Sequence, residues 1–227
     1  MSYEVLFEGL ERAGPGDAES LGWALDCAGV TADAAILDAG CGLGADIGTL
    51  AALRPKARIV AVDLMEGFVA RVRAAHPGVA VHCADMTDPP GGPFDFIWCA
   101  GAAYMPGVAT CLEAWRGHLR DGGAVALSDL CWRVAEPSVA ARAFWAAEGL
   151  AMRDAAALEA VVAGAGYEVL GARWLEPAAW AAYYEPLAAL LAVLPEDEMT
   201  RGFAAEIALW RAHGADYGYR LIVARPR

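Results

Sequence analysis

Short apolar runs alternate with segments of helical spacing along most of this chain, and that rhythm restricts the fold more than any other feature. Runs at 35–37, 58–62, 79–83, 94–98 and 123–127 read as strands; 45–53, 66–75 and 108–119 between them carry helical apolar spacing. A helix over 154–163, a strand over 167–175 and a closing strand over 217–224 complete the series. Strands separated by helices of this length build βαβ units, hence an α/β fold with a mostly parallel sheet and helices on both faces. At 227 residues the chain suits one domain, 1–227.

Three segments fall outside the rhythm. An N-terminal helical cap is expected over 1–30, and helical insertions over 130–151 and 176–214. In an open α/β sheet the ligand crevice lies at the carboxyl ends of the strands, so these insertions are expected to form a substrate lid. They carry Trp132, Phe144, Trp145, Trp180, Tyr183, Tyr184 and Trp210. Each ring has an ordinary use in burying an inserted helix; as a group they also suit the wall of a ligand site.

Composition removes several classes of partner. A hydrophobic fraction of 58% is too high for a disordered chain. The net charge of −12, from 29 acidic against 17 basic residues, repels nucleic acid and anionic membrane at long range. No stretch offers the ~18 uninterrupted apolar residues of a membrane span; residues 178–194 come nearest and are broken by Glu185 and Pro186. The start, Met1-Ser2-Tyr3-Glu4, lacks the basic opening of a secretory signal. Six cysteines without a C-x-x-C pair, four of them in apolar runs, read as buried free thiols of a reducing cytoplasm. His82 and Cys83 point to opposite faces of a strand, so no metal site is expected.

Chemistry concentrates where strands end. Ile36-Leu37-Asp38-Ala39-Gly40-Cys41-Gly42-Leu43-Gly44-Ala45 places glycines after a strand and before a helix, where the backbone can approach a ligand closely. Gly40, Gly42 and Ala45 satisfy a permissive dinucleotide fingerprint. Asp38 opposes that choice, because a carboxylate there crowds a pyrophosphate and suits an ammonium or sulfonium. Asp63, at the tip of the second strand, can accept both hydroxyls of a ribose. Asp85 closes the third strand, placed to accept from an adenine amine with Met86 beside it. Each acid taken singly can also be an ordinary helix N-cap.

Together the segments I-L-D-A-G-C-G-L-G (36–44), V-A-V-D-L (60–64), C-A-D-M (83–86), F-D-F-I-W-C-A-G (94–101) and L-R-D-G-G-A-V-A-L-S-D (119–129) resemble a class I S-adenosylmethionine-dependent methyltransferase. The segment R-A-G-P-G-D-A-E-S (12–20) is similar to a bacterial subgroup acting on small molecules. The resemblance implies a Rossmann-like seven-stranded sheet in the order 3-2-1-4-5-7-6 with strand 7 antiparallel. It implies S-adenosyl-L-methionine as cofactor, S-adenosyl-L-homocysteine as product, and a small-molecule methyl acceptor. By the same implication Gly40, Cys41 and Gly42 hold the methionine portion near Asp38, and Asp63 takes the ribose. Leu64 and Met86 sandwich the adenine, Asp85 bonds its amine, and Cys99, Ala100 and Gly101 line the pocket beside the sulfonium.

Asp88-Pro89-Pro90 precedes the fourth strand and reads as a turn, while Cys99 to Tyr104 holds no carboxamide or carboxylate. A nucleic-acid or protein amine is therefore disfavoured as acceptor. Tyr104 is the candidate for touching both cofactor and acceptor, or is a plain wall ring. Asp129, after the fifth strand, is a candidate base or a helix cap. Glu148, Tyr183 and Tyr184 are weaker candidates. An NAD-dependent oxidoreductase and a non-catalytic cofactor-binding protein remain as alternatives, and the chain is expected to act as a monomer or homodimer.

Overall fold

Strand β1 (Ala35–Ala39) is buried on both faces along its whole length, the mark of a central parallel strand. The computed structural model describes residues 2–227; Met1, the first residue of the expected N-terminal cap, lies outside them. β1 is flanked by β2 (Arg58–Asp63) and β4 (Phe94–Ala100), with β3 (Ala80–Cys83) beyond β2. On the other side follow β5 (Leu119–Trp132), β8 (Tyr217–Pro226) and β7 (Tyr167–Trp174), giving β3-β2-β1-β4-β5-β8-β7. β8 runs antiparallel to both β5 and β7. This is the order and the single reversed strand that the resemblance implied. A two-residue strand β6 (Arg153–Asp154), which the sequence rhythm does not signal, pairs with the end of β5.

Alternation along the strands sends side chains to two cores. Leu37, Val60, Ile97, Val125 and Ile222 face α5 (Val108–Trp115) and α7 (Ala155–Gly164), which contribute Leu112, Trp115, Leu158 and Val162. Ile36, Ile59, Phe96, Ala126 and Val223 face α2 (Ala18–Cys27), through Leu21, Ala24 and Leu25. Asp17 caps α2, accepting the Ser20 N–H at 2.6 Å. Helix α4 (Glu66–Ala75) buries Phe68, Val69 and Val72, one face of a helical period.

A third apolar cluster joins α1 (Tyr3–Phe7), α6 (Val139–Ala147), α8 (Pro177–Leu191) and α9 (Glu198–His213). Leu6, Phe7, Trp145, Trp180, Tyr183, Tyr184 and Ile207 are among its buried members. The Arg71 guanidinium fastens α1 by donating to the carbonyls of Phe7, Glu8 and Leu10, at 3.3, 2.9 and 2.6 Å.

Several boundaries differ from the sequence expectation, three of them around the site. The expected helix 108–119 ends at Trp115, and a 3₁₀ turn over Arg116–His118 leads directly into β5. β5 continues to Trp132 because Ser128 through Trp132 pair with β8, so residues 130–132 belong to the sheet and not to an insertion. Helix α3 (Ile47–Leu53) begins two residues later than expected, since the Asp46 carboxylate bonds Trp98 and Arg12 instead of capping it. All six cysteines are free, but only Cys99, Cys111 and Cys131 are buried, where four were expected; Cys83 is exposed. No helix among the described residues is long and apolar enough to cross a membrane.

Candidate functional site

The carboxyl ends of β1, β2, β4 and β5 meet the helical layer around a cavity of about 860 Å³. That lies toward the upper end of the ~300–1,000 Å³ usual for ligand sites. The turn after β1 forms its floor. Gly40, Gly42 and Gly44 adopt φ of +74°, +51° and +79°, a region where side chains are strained. A Cβ on Gly40 would lie 2.6 Å from that of Ala102, so a side chain there would collide with the turn after β4. The Gly40 and Cys41 N–H groups both donate to the Val62 carbonyl at 2.9 Å, tying the turn to the end of β2.

Asp63 completes that tie. Its Oδ2 accepts the Gly42 N–H and its Oδ1 the Met65 N–H, each at 2.9 Å. A carboxylate has about four acceptor positions, so two backbone bonds fix its orientation and still leave lone pairs for a ligand. Asp38 is 3% exposed and its Oδ2 has no hydrogen-bond partner. Burial, and then the charges of Asp46 and Asp63, raise its pKa well above the ordinary carboxylate value. Such an oxygen is costly unless something completes it.

Leu64, 67% exposed, and Met86 both contribute to the wall. Met86 is held from behind, its carbonyl accepting the Trp115 indole N–H at 2.7 Å. Ala100, Gly101 and Tyr104 follow from β4, and the Gly101 N–H donates to Ser128 Oγ at 2.9 Å. Asp129 lies in the wall too. It sits within β5, so it caps no helix, and it stands 3.6 Å from the Arg153 guanidinium. Burial raises its pKa, opposed by Arg153 and by the Leu130 N–H.

Two of the residues assigned to the cofactor do not reach the cavity, nor do Trp132, Phe144 and Trp210 of the insertion aromatics. Cys99 is fully buried in the core that also holds Leu37 and Leu127, because strand alternation turns it away as Ala100 turns inward. Asp85 is exposed and absent from the wall that its neighbours Ala84 and Met86 form. Its Oδ1 accepts from the Thr87 N–H and hydroxyl at 2.8 and 2.7 Å, a local turn that holds the carboxylate by its own loop. Of the other candidates, Glu148, Tyr183 and Tyr184 line the cavity.

Glu206, Arg153, Arg12 and Tyr219 also line it and were not singled out from sequence. Glu206 left a trace there: it shares a helix face with Phe203, Ile207 and Trp210, a carboxylate on an otherwise apolar stripe. No group of His, Cys, Asp and Glu among the described residues could hold a metal ion.

A reversed strand next to β5 in an otherwise parallel sheet, with a glycine turn and strand-end acids around one crevice, defines the class I methyltransferase fold. Residues 36–123 match the family described as methyltransferase domain. Residues 36–123, less than half of the chain, are thus similar to a methyltransferase domain. A trans-aconitate 2-methyltransferase of Azoarcus sp. (strain BH72) is 35% identical over 96 residues, 41% of this chain and 38% of that protein. The aligned stretch thus spans about two fifths of the length of such curated relatives. A methyltransferase from Geobacter sulfurreducens, solved with S-adenosyl-L-homocysteine, superposes with a TM-score of 0.78 at 20% identity, covering 99% of this chain and 97% of that one. One from Thiobacillus denitrificans gives 0.79 at 18% identity, covering 99% and 98%.

Proposed function

We propose that this chain transfers a methyl group from S-adenosylmethionine to a small molecule enclosed beneath the helical layer, which serves as lid. The observation that carries the proposal is the buried, unpartnered Oδ2 of Asp38 beside a turn of positive-φ glycines. An ammonium satisfies that oxygen; a dinucleotide pyrophosphate would add like charge to it, which disfavours an NAD enzyme. Gly40, Cys41 and Gly42 offer backbone to the methionine portion, and Asp63 offers its free lone pairs to the ribose. Leu64 and Met86 flank the adenine, and Ala100, Gly101 and Tyr104 border the sulfur.

When bound, the cofactor supplies an activated methyl group: the acceptor's lone pair forms the new bond as the carbon–sulfur pair returns to sulfur, leaving S-adenosyl-L-homocysteine. The chain's share is alignment and exclusion of water, and alignment alone is worth up to ~7–11 kcal/mol. Tyr104, in the turn that follows β4, is assigned to orient the acceptor. Asp129, held by Arg153, is assigned to take a proton where the acceptor must lose one. The curated relatives' small-molecule names and the net charge of −12 support a small acceptor in the cytoplasm over nucleic acid or membrane.

Thermal denaturation tests the proposal. S-Adenosyl-L-homocysteine at ~100 times its dissociation constant stabilises by about 2.7 kcal/mol. For a chain of this size that is a rise of roughly 5–11 °C in Tm, and NAD at the same concentration is expected to give none. A shift with NAD and none with S-adenosyl-L-homocysteine would overturn the assignment.

A further inference from the structure

The part of the cavity wall built by the helical layer carries its own chemistry. Glu206, on α9, accepts the Tyr184 hydroxyl through Oε1 at 2.6 Å, and among the described residues its Oε2 has no hydrogen-bond partner. Aromatic rings surround this carboxylate. Tyr183 and Tyr184 have centroids 5.0 Å apart, Trp180 lies 5.7 Å from Tyr184, and Trp180 stacks on Tyr219 at 5.2 Å. A second carboxylate, Glu148, belongs to the same wall, and among the described residues no basic side chain is ion-paired with either glutamate.

The wall's cations are already committed. Its basic side chains are Arg12 and Arg153; the first lies 3.1 Å from Asp46 and the second 3.6 Å from Asp129. An acceptor bearing a carboxylate or phosphate would find no free cation here and would face Glu206 and Glu148. A positively charged group instead meets a half-buried carboxylate together with aromatic faces, the combination that holds alkylammonium ions.

Resting on the methyltransferase proposal, we infer that the acceptor is a small molecule carrying a protonated amine, seated against Glu206 and the rings of Tyr183, Tyr184 and Tyr219. Burial raises the Glu206 pKa, its bond from Tyr184 opposes that, and the charge of Glu148 adds to the rise. A cation beside Oε2 supplies the compensation that the protein itself does not.

The test is a set of matched probes on one skeleton: 2-phenylethylamine, 2-phenylethanol and phenylacetate, with a butyl series of the same three groups. Each is titrated calorimetrically into protein saturated with S-adenosyl-L-homocysteine. The amine is expected to bind at least about tenfold more tightly than the alcohol or the acid of its series. Glu206→Gln keeps an oxygen for Tyr184, so it is expected to fold, to bind S-adenosyl-L-homocysteine normally and to lose the preference for the amine. Glu148→Gln, at an exposed position, is expected to reduce the preference less. Preference for the acid, no amine preference in either series (absence of any binding included), or a preference that survives Glu206→Gln would overturn the inference. Failure of wild-type protein to bind S-adenosyl-L-homocysteine would instead strike the cofactor assignment; the same probes titrated into ligand-free protein then still judge Glu206.

Discussion

Asp38→Asn is expected to weaken S-adenosyl-L-homocysteine binding by roughly 3–5 kcal/mol, two to nearly four orders of magnitude, without loosening the ligand-free fold. Asparagine matches aspartate in shape but cannot neutralise an ammonium, so a buried pair loses one partner. The ligand-free protein has no such pair to lose, because Asp38 Oδ2 is unpartnered there. Its raised pKa also fixes how stability depends on pH. The folded chain holds the Asp38 proton at pH values where the unfolded chain, titrating near 3.8, has released it. Ligand-free protein therefore loses stability as pH climbs from the ordinary aspartate range through the raised value, and Asp38→Asn removes that loss. A bound cation lowers the pKa again, so binding expels a proton within this window. Titrations in two buffers of different ionisation enthalpy are expected to show that release in wild-type protein and not in Asp38→Asn. Equal affinity of the two proteins would remove Asp38 from the site.

Asp63→Ala is expected to reduce affinity by ~1.5–3 kcal/mol, the range for hydrogen bonds to a charged group. Here the fold suffers as well. The Asp63 carboxylate is the acceptor for the Gly42 and Met65 N–H groups, so the alanine variant frees the glycine turn from β2 at one of its ties. A lower Tm in ligand-free protein should therefore accompany the weaker binding, in contrast to Asp38→Asn. Calorimetry and melting on the two variants separate a charge that only the ligand needs from one that also shapes the turn.

The sheet was legible because its signal is repeated and local: most strands have their own apolar run, and each helix between them its own period. Asp38, the glycine turn and Asp63 were legible for the same reason, since adjacent residues in one crossover place them together. Asp85 and Cys99 show where motif reading stops. A strand-end acid can be captured by its own loop, as Asp85 is by Thr87, and a one-residue step along β4 decides whether Cys99 or Ala100 meets the cavity. The sequence leaves Asp129 free to cap a helix because the local run ends β5 sooner; its extension is written in the pairing with β8, distant in sequence. Glu206 and Arg153 are hidden more deeply. They reach the cavity through the packing of α9 and the pairing of β6, both long-range events; locally Arg153 looks like an ordinary polar position, and Glu206 shows only as a carboxylate on an apolar stripe.

The central claim is that this cavity carries methyl groups to a small molecule. Incubation of the purified chain with methyl-labelled S-adenosylmethionine and a fractionated small-molecule extract tests it directly. The predicted result is label in a low-mass compound, with S-adenosyl-L-homocysteine formed in equal amount and both lost in Asp38→Asn. Label that stays on the cofactor in every fraction, or moves only to protein or nucleic acid, would contradict it.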